Sequence, residues 1–221
     1  MKSTAWCFDF DRTLTEVFSD IELERMHDQA LQLLSPMVRA DLLDSDDPYV
    51  VWGEVRARAS STDHSEWRHA EQAIRGFLAE NERLRAATVQ PFDGVVEVLT
   101  ELRARGACIG VVSSNDHVLI SAALERWGLT SGVDSVIGRR PEDRSADLKP
   151  FPIPLLTCLQ RLDAAPRDAK YVGDSPDDAE CAKRAGVQFI GVTSGKTDAR
   201  TLVSAGATEV VNSLRQLLDR G

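Results

Sequence analysis

A chain of 221 residues, 43% of them hydrophobic, is long enough for one domain of ordinary size with a sizeable insertion, and its composition excludes a disordered protein. With 26 basic against 35 acidic residues the net charge is −9, which repels a phosphate backbone and excludes nucleic acid as an expected partner. Four cysteines, Cys7, Cys108, Cys158 and Cys181, show no C-x-x-C spacing and fit a reducing compartment. Met1-Lys2-Ser3-Thr4 leads straight into a hydrophobic run, and no apolar stretch approaches membrane-spanning length, so a cytoplasmic protein with no membrane partner is expected.

In chain order, Ala5-Trp6-Cys7-Phe8 reads as a buried strand. A long stretch without strand signals follows, from about Val17 to Thr88, and reads as helices. Ser19-Asp20-Ile21-Glu22 has the form of a capping box, followed by Ile21, Met26, Ala30 and Leu34 at helical spacing. Ser35-Pro36 and Asp47-Pro48 each place a cap residue before a proline at the first helical position. Ser60-Ser61-Thr62-Asp63 marks a break, and Trp67, Ala70, Ile74, Phe77 and Leu84 mark a further helix.

From Pro91 the pattern alternates. A helix is expected from Asp93 to Arg105, a strand over 107–112, a helix over 116–127 and a strand over 134–137. A helix over 151–162, a strand over 169–173, a helix over 177–185 and a strand over 187–192 follow. Such alternation implies an α/β fold, a doubly wound parallel sheet covered by helices on both faces, with ligands at the carboxyl ends of the strands. The expected domains are a core of residues 1–16 and 89–221 and an all-helical domain of residues 17–88, leaving the core after the first strand to lie over that crevice.

The chemistry-bearing residues fall at those strand ends. Asp9-Phe10-Asp11-Arg12-Thr13 closes the first strand, and residues two apart on a strand start on the same side, so two carboxylates and a hydroxyl emerge together. Ile109-Gly110-Val111-Val112 runs into Ser113-Ser114-Asn115, Lys149-Pro150 precedes an apolar helix, and Tyr171-Val172 runs into Gly173-Asp174-Ser175-Pro176-Asp177-Asp178. In this order the four segments resemble the motifs of the haloacid dehalogenase superfamily of phosphotransferases. The similarity takes in Pro91-Phe92-Asp93-Gly94-Val95, Ala182-Lys183-Arg184-Ala185-Gly186 and the tail Gly206-Ala207-Thr208-Glu209-Val210-Val211. The C-terminal portion is most similar to phosphoglycolate phosphatases.

The resemblance implies a Rossmann-like core, a helical cap with Glu16 and Thr88 near its hinges, and a set of roles. Asp9 is the nucleophile that would form an aspartyl-phosphate, and Asp11 the acid and then base for the leaving oxygen and the attacking water. Mg²⁺ would be held by Asp9, Asp174, the backbone carbonyl of Asp11 and Asp178, directly or through water. Lys149 would neutralise nucleophile and phosphoryl group, and Ser113 would donate to a phosphoryl oxygen. Thr13, Ser114, Asn115 and Arg12 are the expected substrate-binding residues. The implied function is hydrolysis of a small phosphorylated metabolite, with a phosphomutase or a catalytically silent binding module as alternatives and the oligomeric state left open.

Departures narrow the reading. Arg12 stands where cap-bearing relatives most often have glycine, and Thr15 where an aliphatic residue is common; Arg12 reads either as a substrate contact or as a solvent-facing side chain. The dehalogenases lack the second aspartate, so Asp11 favours phosphate chemistry, and Ser113-Ser114-Asn115 departs from the Ser-Gly-Gly motif of phosphoserine phosphatases. Gly191-Val192-Thr193-Ser194-Gly195-Lys196-Thr197 imitates a phosphate-binding loop but is one residue short between its glycine and the Gly-Lys pair. His27, His64, His69 and His117 lack metal-ligand spacing, and Asp44, Asp46 and Asp47 lack calcium-loop spacing. Arg139, Arg140 and Arg144 are further candidates for anion contacts. The segment 17–88 holds 14 acids against 8 arginines and no lysine, which disfavours polyanionic substrates.

Overall fold

The computed structural model describes residues 4–38, 47–61, 65–144 and 147–220. Six strands form one parallel sheet: β1 (Ala5–Phe8), β2 (Cys108–Asp116), β3 (Ser135–Arg139), β4 (Ala169–Gly173), β5 (Gln188–Val192) and β6 (Glu209–Val211), in the order β3-β2-β1-β4-β5-β6. Every residue of β1 is buried, as expected of a central strand covered on both faces. Its register puts Phe8 beside Val111 of β2 and Val172 of β4, and the chain order reverses direction at β1.

Helices α4 (Val95–Ala104), α5 (His117–Arg126), α6 (Ile153–Arg161), α7 (Pro176–Ala185) and α8 (Ala199–Ala205) accompany the strands. One core cluster packs Ala5 and Cys7 of β1 against Leu155, Cys158 and Leu159 of α6 and Cys181 and Ala182 of α7. The side chains Cys7 and Cys158 meet at 3.8 Å between sulfurs, in a space left by Gly110, where a Cβ would lie 2.3 Å from the Cys158 sulfur.

The strand expected over 107–112 extends to Asp116. The reason is an irregular register: Val112 pairs with Ile137 and Asp116 with Arg139, so Ser113-Ser114-Asn115 occupies a bulge against the single step Gly138. Bulges re-aim side chains beside active sites, and alternation alone does not reveal them.

The chain divides into two compact units, residues 1–17 with 85–221, and residues 18–84. The second contains α1 (Asp20–Leu34), α2 (Pro48–Ser61) and most of α3 (Ser65–Arg85). Ser19 opens α1 as expected, its N–H donating to the Glu22 carboxylate at 2.9 Å, and Asp47 caps α2 by accepting the Tyr49 N–H at 2.8 Å. Ser35-Pro36 opens no helix: Ser35 N–H closes α1 on the Leu31 carbonyl and the chain turns there. Ile21 and Leu84, expected on buried faces, are 63% and 73% exposed; Leu23 and Leu78 are buried instead. Glu82 is fully buried on that face and accepts the Tyr49 hydroxyl at 2.9 Å, a polar partner that periodicity does not disclose. Asp44, Asp46 and His64 lie outside the described residues. Among the described residues no helix is long and apolar enough to cross a membrane.

Candidate active site

Asp9 follows β1 directly and its N–H donates to the Val172 carbonyl at 2.8 Å, which fixes the residue at the junction of β1 and β4. Lys149, brought in by the segment between β3 and α6, reaches this point with its ammonium 2.6 Å from Asp9 Oδ1 and 2.6 Å from Asp178 Oδ1. All three are buried. Asp174 follows β4, and Asp9, Asp174 and Asp178 each place a carboxylate oxygen within 4.8 Å of the others.

Asp178 is held from four directions. Its Oδ1 accepts Lys149 and the Tyr171 hydroxyl (2.9 Å), and its Oδ2 accepts the Ser175 hydroxyl (2.6 Å) and the Ser175 N–H (3.1 Å). The local sequence explains it: Ser175 is the N-cap of α7, Pro176 opens the helix, and Asp178 completes a capping box, so a helix start doubles as a carboxylate clamp. Gly173 permits the close approach, since a Cβ there would lie 2.5 Å from the Asp178 carboxyl carbon.

The electrostatics follow from three carboxylates around one ammonium in a desolvated place. Burial and the Asp178 charge push Asp9 up to about 7 against the pull of Lys149. Burial and the charges of Asp178 and Asp9 push Asp174 up to about 8. Burial works against the charge of Lys149, but Asp178 and Asp9 more than offset it and hold the ammonium well above its ordinary pKa. The cluster keeps a surplus of negative charge after Lys149 is counted, and a hard divalent cation with oxygen ligands suits that donor set.

The remaining expected residues fall nearby in the chain but are engaged differently. Asp11 accepts the Val17 N–H at 2.8 Å, and its charge adds to the crowding of Asp174. Thr13 is buried with no hydrogen-bond partner for its hydroxyl. Ser113 donates to Asn115 Oδ1 at 2.9 Å and Ser114 is half-buried, so the Ser113 proton is already committed within the bulge. Arg12 has φ 58°, the left-handed region that glycine enters most readily. Its side chain is 16% exposed and lies 3.9 Å from Glu16, so the solvent-facing alternative is not what the structure has. Thr15 donates to the Gln90 carbonyl, a tie that an aliphatic residue would not make. Arg139 is buried in β3, while Arg140 lies 3.4 Å from the His117 ring and Arg144 pairs with Asp147 at 3.3 Å. Sequence reasoning missed Tyr171 and Ser175; a buried tyrosine hydroxyl that must find a partner was the available signal.

A sequence profile of the haloacid dehalogenase-like hydrolases matches residues 52–192, a span that holds Ser113, Lys149, Asp174 and Asp178. The chain is 31% identical over 180 residues to a phosphoglycolate phosphatase of Xylella fastidiosa, covering 81% of this chain and 76% of that one. It is 28% identical over 219 residues to one of Chromobacterium violaceum, covering 97% and 95%. Other phosphoglycolate phosphatases match over about half their length. A Bacteroides fragilis crystal structure described as a haloacid dehalogenase-like hydrolase superposes with a TM-score of 0.73 at 27% identity, covering 98% of this chain and all of that one. The fold is a parallel six-stranded α/β sheet with flanking helices, and the chain belongs to the haloacid dehalogenase-like hydrolase family.

Proposed function

We propose that this haloacid dehalogenase-like phosphatase is a Mg²⁺-dependent hydrolase of small phosphomonoesters, phosphoglycolate-like or sugar phosphates, working through an aspartyl-phosphate on Asp9. The observation that carries the reading is the Lys149 ammonium lying between Asp9 and Asp178 in a buried acidic cluster at the strand ends. The names of the relatives supply the substrate class. A cytoplasmic location belongs to the same proposal.

Asp9 Oδ attacks phosphorus while the ester oxygen leaves, and Asp11 gives that oxygen its proton. Water then attacks the aspartyl-phosphate with Asp11 taking its proton, which returns Asp9 and releases phosphate. Lys149 holds the attacking carboxylate in place and neutralises charge on the transferring group. The unpartnered Thr13 hydroxyl and, after turning from Asn115, the Ser113 hydroxyl supply hydrogen bonds to phosphoryl oxygens. Asp9, Asp174 and the Asp11 carbonyl would hold Mg²⁺, with Asp178 acting on it directly or through water; the ion lets an anionic nucleophile approach an anionic ester. The helical unit is assigned the substrate-selecting role of a cap, which the family resemblance gives it.

Phosphate release from a panel of phosphoglycolate, hexose phosphates and nucleotides, with Mg²⁺ and with chelator, tests the proposal. Turnover that needs the metal supports it and ranks the substrates. No metal-dependent release from any ester would overturn it.

A further inference from the structure

The segment Thr193-Ser194-Gly195-Lys196-Thr197, a phosphate-loop imitation in sequence, follows β5 and lies against the acidic site. A Cβ at Gly195 would fall 1.8 Å from Asp174 Oδ2, 2.7 Å from its carboxyl carbon and 3.0 Å from its Cβ. One residue earlier, the Ser194 hydroxyl donates to the backbone carbonyl of Arg12, in the turn that carries Asp11. One loop therefore touches both segments that bear the carboxylates of the site, the turn after β1 and the turn after β4. Its base is anchored on the far side, with the Thr193 N–H donating to the Val211 carbonyl at 3.0 Å and the Thr193 hydroxyl 3.1 Å from Asn212 Oδ1. The loop is tied to the sheet at one end and pressed onto the site at the other.

Gly195 thus leaves open the space that the Asp174 carboxylate fills, and no other residue type fits there without displacing that carboxylate. Changing a group that fixes the orientation of a metal ligand typically costs about 10- to 100-fold in affinity for the ion. We propose that Ser194 and Gly195 are positioning residues that set the affinity for the divalent cation, Gly195 by leaving the Asp174 carboxylate the place it takes beside the loop and Ser194 by holding the turn of Asp11 and Arg12. The inference rests on the functional reading above, in which Asp9, Asp11 and Asp174 hold that cation. The glycine and serine of the imitation loop are then explained without any nucleotide.

The test is calorimetric titration of Mg²⁺ and of Mn²⁺ into the full chain, beside thermal melting in chelator. Gly195→Ala is expected to melt close to the wild type, because the end of the Asp174 side chain can swing away, and to bind the ions about 10- to 100-fold more weakly. Ser194→Ala is expected to weaken binding in the same direction by a smaller factor. Turnover of Gly195→Ala should recover as Mg²⁺ is raised, a rescue that general damage to the fold would not allow. Wild-type ion affinity in a folded Gly195→Ala protein would overturn the inference. If Gly195→Ala does not fold, Ser194→Ala decides: unchanged affinity overturns the proposal and weakened affinity supports it. A wild-type chain that binds neither ion overturns the functional reading itself, whereas binding equal in all three proteins overturns this inference alone.

Discussion

The Lys149 ammonium is shared between Asp9, 2.6 Å away, and Asp178, also 2.6 Å away, so a single cation fixes the attacking group of the proposed reaction against a carboxylate that the fold already clamps. Lys149→Met removes the charge but keeps much of the volume, and is expected to lower kcat by about 10²- to 10³-fold. Lys149→Arg should not rescue it, because a planar guanidinium does not fit a point-charge site enclosed on both sides. Steady-state rates for the two variants at saturating Mg²⁺ check this.

Tyr171 contributes from behind. Its hydroxyl lies 2.9 Å from Asp178 Oδ1 and 3.0 Å from the Val112 carbonyl, and the side chain is fully buried. Tyr171→Phe removes the single O–H proton that those two acceptors share and should cost about 1–3 kcal/mol of stability. It should also lower kcat more than it changes KM, since Asp178 and through it Lys149 lose one restraint. Urea unfolding and a kinetic comparison measure the two effects.

The sulfur pair predicts an overpacking series. A methyl added by Gly110→Ala collides with the Cys158 sulfur, and the variant should lose about 1–3 kcal/mol. Cys158→Ala empties that space, so Gly110→Ala in the Cys158→Ala background should cost less than in the wild type. Additive losses in urea unfolding would contradict the packing described here.

The raised carboxylates set a pH dependence. Asp9 and Asp174 titrate near 7 and 8 in the folded chain against about 4 when unfolded, so their protonated forms favour the folded state. That contribution is complete below about pH 4 and is lost as the pH rises through 7 and 8. In chelator the melting temperature should fall from about pH 4 to about pH 8 and level off above that, and saturating Mg²⁺ should flatten the fall because the ion replaces the protons. Mg²⁺ affinity should rise over the same interval. A melting temperature that rises with pH in chelator would contradict the assignment.

Much of the core was legible in the sequence because its signals are local. A buried strand ending in Asp9, alternation from Pro91 onward, and a serine and proline opening α7 each follow from residues close in the chain. Relations set by tertiary contact were not legible. The bulge at Ser113-Ser114-Asn115 depends on pairing with β3, and the clamp on Asp178 needs Tyr171 from β4 and Lys149 from before α6. Ile21 and Leu84 were misplaced because one face of a helix satisfies apolar spacing about as well as its neighbour, and only packing chooses Leu23 and Leu78. Gly195 looked like part of a nucleotide loop because a glycine needed for close approach to a carboxylate reads the same as one needed for close approach to a phosphate.

The central claim is that Asp9 carries the phosphoryl group, and rapid-quench trapping with a radiolabelled phosphomonoester in Mg²⁺ tests it most directly. The account predicts label on the peptide containing Asp9 within the first turnover, absent in Asp9→Asn and in chelator. Phosphate release with no labelled protein at any time, or Asp9→Asn turning over at the wild-type rate, would contradict it.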